Sequence, residues 1–90
     1  AFENATGFIG LALNRIKGGA VGIGLTNCTG GARATENYIE GATITAGDFF
    51  GTNGVICAFN HLKGNANANN FSNITNGTNN SILKDNVILT

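Results

Sequence analysis

Three residues that recur at a fixed interval are the first candidates for a binding surface. Arg15, Tyr38 and His61 are 23 residues apart in turn, and each follows an Asn. A guanidinium, a phenol ring and an imidazole in one column offer flat faces on which sugar rings pack, with donors for sugar hydroxyls. Arg15 over Tyr38 would also be a cation–π pair. We predict a glycan-binding column formed by these residues; the alternative is a column that only shields the strands.

Carboxylates are the second set of candidates, because glycosidases use a pair of them about 5–9.5 Å apart. If Glu36 and Glu40 lie in one strand, they are roughly 13 Å from each other. Glu36 and Asp85 each precede a recurring Asn, as does Phe59 between them, so stacking would place them about 10 Å apart. Glu36 and Asp85 are therefore weak catalytic candidates, and solvated acids on a polar face are the simpler interpretation.

Asparagine and cysteine offer two further kinds of chemistry. Six N-x-[Ser/Thr] sequons would carry glycans in a secreted eukaryotic or archaeal protein, although a chain rich in Asn and Thr also produces them by composition. Cys28 and Cys57 have different offsets from the recurring Asn, so we predict two buried free thiols. With one His and no CxxC, we predict no metal site and no cofactor. The sequons start at Asn4, Asn27, Asn70, Asn73, Asn76 and Asn79.

Composition limits the classes of function. Ninety residues suffice for one small domain, and a net charge of zero with 11% charged residues lacks the basic surface of a nucleic-acid-binding protein. The most apolar stretch, 8–25, is interrupted by Asn14, Arg15 and Lys17, so we predict no membrane span. Fourteen Gly and no Pro, with β-branched residues between them, are typical of short strands joined by tight turns.

An internal repeat supplies the framework for these residues. The segment Asn-Arg-Ile-Lys-Gly at 14–18 returns in varied form at 37–41 and 60–64, and a degraded copy starts at Asn86, 26 residues after Asn60. Its period-two alternation is a strand signal, and 23 residues make one coil of a parallel solenoid. Stacked in register, the repeats predict a ladder of Asn side chains, an aliphatic stack, and alternating charges that favour this register. These three columns are Asn14, Asn37 and Asn60; Ile16, Ile39 and Leu62; and Lys17, Glu40 and Lys63.

The remaining segments complete the coils. We predict further strands at 22–25, 42–45 and 54–59, and an ordered coil rather than disorder in the Asn-rich tract 65–81, whose longer turns extend the period from 23 to 26. Adjacent strand residues face opposite sides, so one of Phe49 and Phe50 is expected to be exposed.

The coils resemble a known class of protein. Asn14-Arg-Ile-Lys-Gly, then Val21-Gly-Ile-Gly-Leu-Thr-Asn-Cys and Asn37-Tyr-Ile-Glu-Gly, are similar to the coils of right-handed parallel β-helix proteins. That superfamily includes pectin and pectate lyases, the periplasmic copper-enzyme maturation β-helices and bacteriophage tailspikes. The resemblance covers nearly the whole chain and implies an all-β, right-handed parallel β-helix of about four coils. The coil motif is a packing device, so it specifies architecture and not activity.

The resemblance makes polysaccharide the first partner to expect. We predict a structural β-helix segment of an extracellular or virion-attached protein that contacts cell-surface polysaccharide. One alternative is a fragment of a polysaccharide lyase or glycoside hydrolase, although no catalytic motif is present; another is a self-assembling filament subunit. Neither end supplies an obvious cap for its sheet edges, so residues 1–90 are expected to be one segment of a longer protein or to be covered by neighbouring subunits.

Overall fold

The chain forms a parallel β-solenoid of about four coils around one core. The computed structural model describes residues 2–69, 71–74, 77 and 80–89. In chain order the elements are β1 (Phe2–Glu3), β2 (Ile9–Ala12), β3 (Arg15–Lys17), β4 (Val21–Thr26), β5 (Ala32–Thr35), β6 (Tyr38–Glu40), β7 (Thr45–Asp48), β8 (Val55–Ala58), β9 (His61–Lys63), the single helical turn α1 (Ala66–Asn69), β10 (Phe71–Ser72), β11 (Ile82–Lys84) and β12 (Val87–Leu89).

Three sheets form the faces of the solenoid. Their strand orders are β1-β4-β7-β10, β2-β5-β8-β11 and β3-β6-β9-β12, and every neighbouring pair is parallel. The third sheet, named the ladder sheet here, pairs Arg15 with Tyr38, Tyr38 with His61, and His61 with Val87. The predicted all-β fold, the in-register stacking and the longer last coil are therefore confirmed.

A ladder of asparagines lies along the start of the ladder sheet. Each step contains two hydrogen bonds to one oxygen: the backbone N–H and Nδ2 of Asn37 both donate to Oδ1 of Asn60, each at 3.0 Å. The same pair of bonds joins Asn14 to Asn37 and Asn60 to Asn86. Nδ2 of Asn60 also donates to the Ala34 carbonyl at 3.0 Å, so a buried amide is fully used. The predicted ladder is confirmed.

Left-handed residues turn the chain immediately before this ladder. Leu13, Glu36, Phe59 and Asp85 have φ of 59°, 59°, 57° and 54°. We call these four residues the corner column. Such backbone is uncommon for residues other than Gly, Asn and Asp, since the Cβ crowds the following carbonyl. The corner column rotates each side chain out of the sheet and presents it beside the ladder strands.

The core is filled by aliphatic, aromatic and thiol groups. Ile39 and Leu62 are buried in the predicted aliphatic stack. Phe49 is fully buried with its ring centroid 5.8 Å from that of Phe71, whereas Phe50 is exposed, so one residue of the pair is exposed as predicted. The two residues follow β7 instead of lying within a strand, and the exposure of Phe50 comes from the turn there. Cys28 and Cys57 are buried and free, which confirms the prediction for the thiols.

Three details of the sequence-based prediction need correction. Glu36 does not share a strand with Glu40, because its left-handed backbone ends the preceding segment and β6 begins only at Tyr38. Residues 42–44 form a bend rather than a strand, since the amide of Ala42 is held by Oδ1 of Asn65 and the chain turns there. The strand predicted at 54–59 is shorter, because its first and last residues adopt left-handed backbone.

Among the described residues, no helix is long and apolar enough to cross a membrane. Within the described part of the Asn-rich tract 65–81, α1 and β10 form and Phe71 is buried, in agreement with the predicted ordered coil. Residues 70, 75, 76, 78 and 79 of the tract lie outside the described residues. Ile88, at the same position as Ile39 and Leu62 in the aliphatic stack, is 56% exposed, because β12 is the last strand of its sheet within the described part of the chain.

Candidate functional site: a groove beside the asparagine ladder

A shallow groove of about 270 Å³ lies between the corner column and the outer face of the ladder sheet. Two of the predicted glycan-binding residues, Tyr38 and His61, contribute to its wall. The corner column supplies apolar and acidic side chains on the opposite side. The described residues that line the groove are Leu13, Glu36, Asn37, Tyr38, Phe59 and His61.

Phe59 is the most unusual residue of the groove. Its ring is 54% exposed, and its backbone has the left-handed φ of 57° that an aromatic residue adopts only at a cost of about 1–3 kcal/mol. Leu13 occupies the equivalent position two coils earlier. It is 78% exposed and has the same left-handed backbone, with φ of 59°. Core packing does not explain why these two apolar side chains stand on left-handed backbone, because neither side chain is buried. Exposed apolar groups held by strained backbone therefore indicate a contact surface.

Tyr38 is held by two neighbours on its own sheet. The Arg15 guanidinium carbon lies 5.2 Å from the Tyr38 ring centroid, which confirms the predicted cation–π pair. The Tyr38 hydroxyl donates to Oε1 of Glu40 at 2.7 Å. This hydrogen bond raises the pKa of Tyr38 and lowers that of Glu40, because it stabilises the neutral phenol and the charged carboxylate. Lys17, at 4.0 Å from Glu40, lowers the Glu40 pKa further.

Arg15, the third predicted glycan-binding residue, lies in register with Tyr38 but does not line the groove. It contributes instead to a cavity of about 240 Å³ at the N-terminal end of the solenoid, together with Leu11 and Ile16, which are partly buried and pack against the core. The column is therefore continuous along the sheet, and it borders two different concave surfaces.

The two catalytic candidates are separated. Glu36 lines the groove, whereas Asp85 does not and has Lys84 Nζ 3.6 Å from its carboxylate. Both residues occupy the corner column, as their equivalent positions predicted, and Phe59 stands between them. The groove thus holds one carboxylate and one imidazole, which bind hydroxyl groups but do not form the paired-carboxylate arrangement of a glycosidase.

Three sequon asparagines fall within the described residues. Asn4, Asn27 and Asn73 are exposed and have left-handed φ of 55°, 51° and 59°, so they serve as turn residues of a kind for which Asn is well suited. Nδ2 of Asn73 donates to Asp48. Asn70, Asn76 and Asn79 lie outside the described residues, and glycosylation at all six positions stays a prediction.

Sequence reasoning did not select Phe59 and Leu13 as binding residues, although one signal pointed to them. Each directly precedes a ladder Asn, the position that Glu36 occupies in the coil between them. A large apolar residue at an outward turn position is the feature to look for in such repeats.

No arrangement of three or more potential metal ligands exists among the described residues. Comparison of the chain with protein-family models, with curated proteins and with solved structures finds no match. The functional proposal therefore rests on the geometry of the groove and of the coils.

Proposed function

We propose that the chain is a structural β-solenoid segment of an extracellular or virion-attached protein, and that it contacts cell-surface polysaccharide through the groove. The observation that carries the proposal is the exposed ring of Phe59 on left-handed backbone, beside Tyr38 and His61. A sugar ring has an apolar C–H face that packs on such a ring. Glu36 accepts hydrogen bonds from hydroxyl groups at the same site.

The resemblance of the coils to right-handed parallel β-helix proteins, the pectin-lyase-like superfamily, supports this proposal. Within that superfamily we expect a tailspike or a secreted polysaccharide-active protein. A binding role fits the groove better than lyase or hydrolase activity, because Glu36 supplies the one carboxylate among the described residues that line it. We accordingly expect binding without turnover.

Affinity electrophoresis tests the proposal. The folded chain is run through gels that contain a neutral glucan, polygalacturonate or lipopolysaccharide, and retardation in at least one of them is expected. Phe59→Asn should abolish that retardation, since Asn tolerates the left-handed backbone but has no ring. Phe50→Asn is the matched control: Phe50 is 58% exposed and lies outside the groove, so this variant should be retarded like the original chain. Equal retardation of Phe59→Asn and the original chain would exclude the groove.

A second role is favoured by apolar side chains that are exposed on the outermost described strands. Phe2 of β1 is 44% exposed, and Val87 and Ile88 of β12 are 44% and 56% exposed. Parallel edge strands of this kind add further strands readily. We propose copies of the same chain as the second partner, with self-association in solution as the test.

A further inference from the structure

One asparagine of the chain has a side chain that is free to react with the backbone that follows it. Asn53 is exposed and directly precedes Gly54 in the turn between β7 and β8. The side-chain amide of Asn53 forms no hydrogen bond with the residues that the structure describes. Asn76 is the other asparagine that precedes a glycine in the sequence, and it lies outside the described residues.

The backbone around Asn53 is held in place, but the nitrogen of the next residue is open. The N–H of Asn53 donates to the Cys28 carbonyl at 3.4 Å, and the Gly54 carbonyl accepts the N–H of Ala32 at 3.2 Å. The N–H of Gly54 donates to none of the described residues. Gly54 has no Cβ that could shield this nitrogen, and its φ of 68° is one that other residues rarely adopt. The nitrogen of Gly54 is therefore accessible to the amide of Asn53.

The asparagines of the ladder are in the opposite situation. Asn60 is fully buried, and its Nδ2 donates to Oδ1 of Asn86 at 2.9 Å and to the Ala34 carbonyl at 3.0 Å. The residue that follows is His61, which has a Cβ and whose N–H already donates to the Asn37 carbonyl at 2.8 Å. The fold thus fixes the amide of Asn60 and leaves that of Asn53 mobile.

We infer that Asn53 is a site of spontaneous deamidation, with water as the co-reactant. The nitrogen of Gly54 loses its proton and forms a bond to Cγ of Asn53, and the Cγ–Nδ2 bond breaks so that ammonia leaves. Water then opens the cyclic succinimide that results. Opening at Cγ gives aspartate, and opening at the backbone carbonyl carbon gives isoaspartate, in which the main chain runs through Cγ.

The modification alters the charge and the path of the chain at this turn. Either product replaces a neutral amide by a carboxylate, which lowers the formal net charge of zero by one unit. Isoaspartate also adds one carbon to the main chain just before β8. The first residue of that strand, Val55, is fully buried, and its N–H donates to Oγ of Ser81 at 3.2 Å. The isoaspartate form should therefore be less stable than the aspartate form, which keeps the native backbone.

Peptide mapping by mass spectrometry of the folded chain held at pH 8 tests this inference. Asn53 should convert to a mixture of aspartate and isoaspartate, at least about tenfold faster than Asn4 converts. Asn4 is the matched internal control: it is exposed and its side chain is not bonded to the described residues, but it precedes Ala5 instead of a glycine. Asn53→Gln should give no product at residue 53, because a glutamine side chain would have to close a larger ring.

The same measurement on the chain unfolded in urea separates the effect of the fold from that of the local sequence. If Asn53 converts in the unfolded chain but stays intact in the folded chain, or reacts there no faster than Asn4, the inference fails. Asn60 should stay intact in the folded chain, and conversion at Asn60 would contradict the protection assigned to the ladder. The isolated isoaspartate form should unfold at a lower urea concentration than Asn53→Asp, and equal midpoints would overturn the predicted effect on β8.

Discussion

The interior of the asparagine ladder should be much less tolerant of substitution than its end, and Asn60→Leu is the sharpest test. Asn60 is fully buried, and leucine is of similar size without polar atoms. Oδ1 of Asn60 accepts both the N–H and one Nδ2 hydrogen of Asn37, each at 3.0 Å. The substitution leaves these two donors of a buried neighbour without an acceptor.

The expected loss follows from the number of orphaned groups. Each buried donor left without a partner costs about 1–3 kcal/mol, so two donors lower the free energy of unfolding by about 2–6 kcal/mol. A domain of this size has about 5–15 kcal/mol in total. Asn14→Leu removes one ladder amide from the exposed end, where Oδ1 accepts no hydrogen bond from the described residues, and Oδ1 of Asn37 keeps the Asn14 N–H at 3.1 Å. Its expected loss is only about 0.5–1.5 kcal/mol.

Urea unfolding followed by circular dichroism measures both variants against the original chain. The samples must be dilute enough for the protein to be monomeric, so that stacking does not add stability. Asn60→Leu should unfold at a much lower urea concentration than Asn14→Leu. Equal losses in the two variants would refute the view that orphaned donors, rather than the amide itself, determine the cost.

Three further predictions test other parts of the structure. Tyr38→Phe should raise the Glu40 pKa toward its ordinary value in an NMR titration, because the hydrogen bond that lowers this pKa is lost. In the original chain, the contribution of Glu40 to the free energy of unfolding is present above the pKa that Glu40 has in the unfolded chain. It is lost as the pH falls through the lowered pKa of the folded chain. Gly22→Ala should lower the free energy of unfolding in urea by about 1–3 kcal/mol, because the added Cβ would meet the Ala46 carbonyl and lie 2.6 Å from Ile39 Cγ2. Gly7→Ala is the control and should be nearly neutral, because a Cβ at residue 7 would meet no atom within 4 Å. Burial raises the pKa of the Cys57 thiol to about 12, so Cys57 should resist alkylation at pH 8 until the chain unfolds; mass spectrometry that shows rapid labelling of the native chain would contradict this burial.

The candidate site was only partly predictable from the sequence. The 23-residue spacing was sufficient to place Arg15, Tyr38 and His61 in one column, because parallel strands in register put equivalent residues side by side. The spacing did not show that Arg15 lines the N-terminal cavity instead of the groove. The position of the groove depends on the direction in which the corner-column side chains point. The prediction that Glu36 shares a strand with Glu40 was wrong for the same reason: period-two alternation does not reveal where a left-handed residue ends a segment.

The period, the register and the identity of the ladder can be read from the amino-acid pattern, because each repeat buries its Asn and aliphatic residue only by stacking on an equivalent repeat. The direction in which the corner-column side chains face follows only from the folded chain. Backbone torsion at Leu13, Glu36, Phe59 and Asp85 is imposed by the closure of each coil around a shared core, and no local propensity of Leu or Phe favours it. The groove therefore results from the closed solenoid, although every residue in it belongs to a repeat that is visible in the sequence.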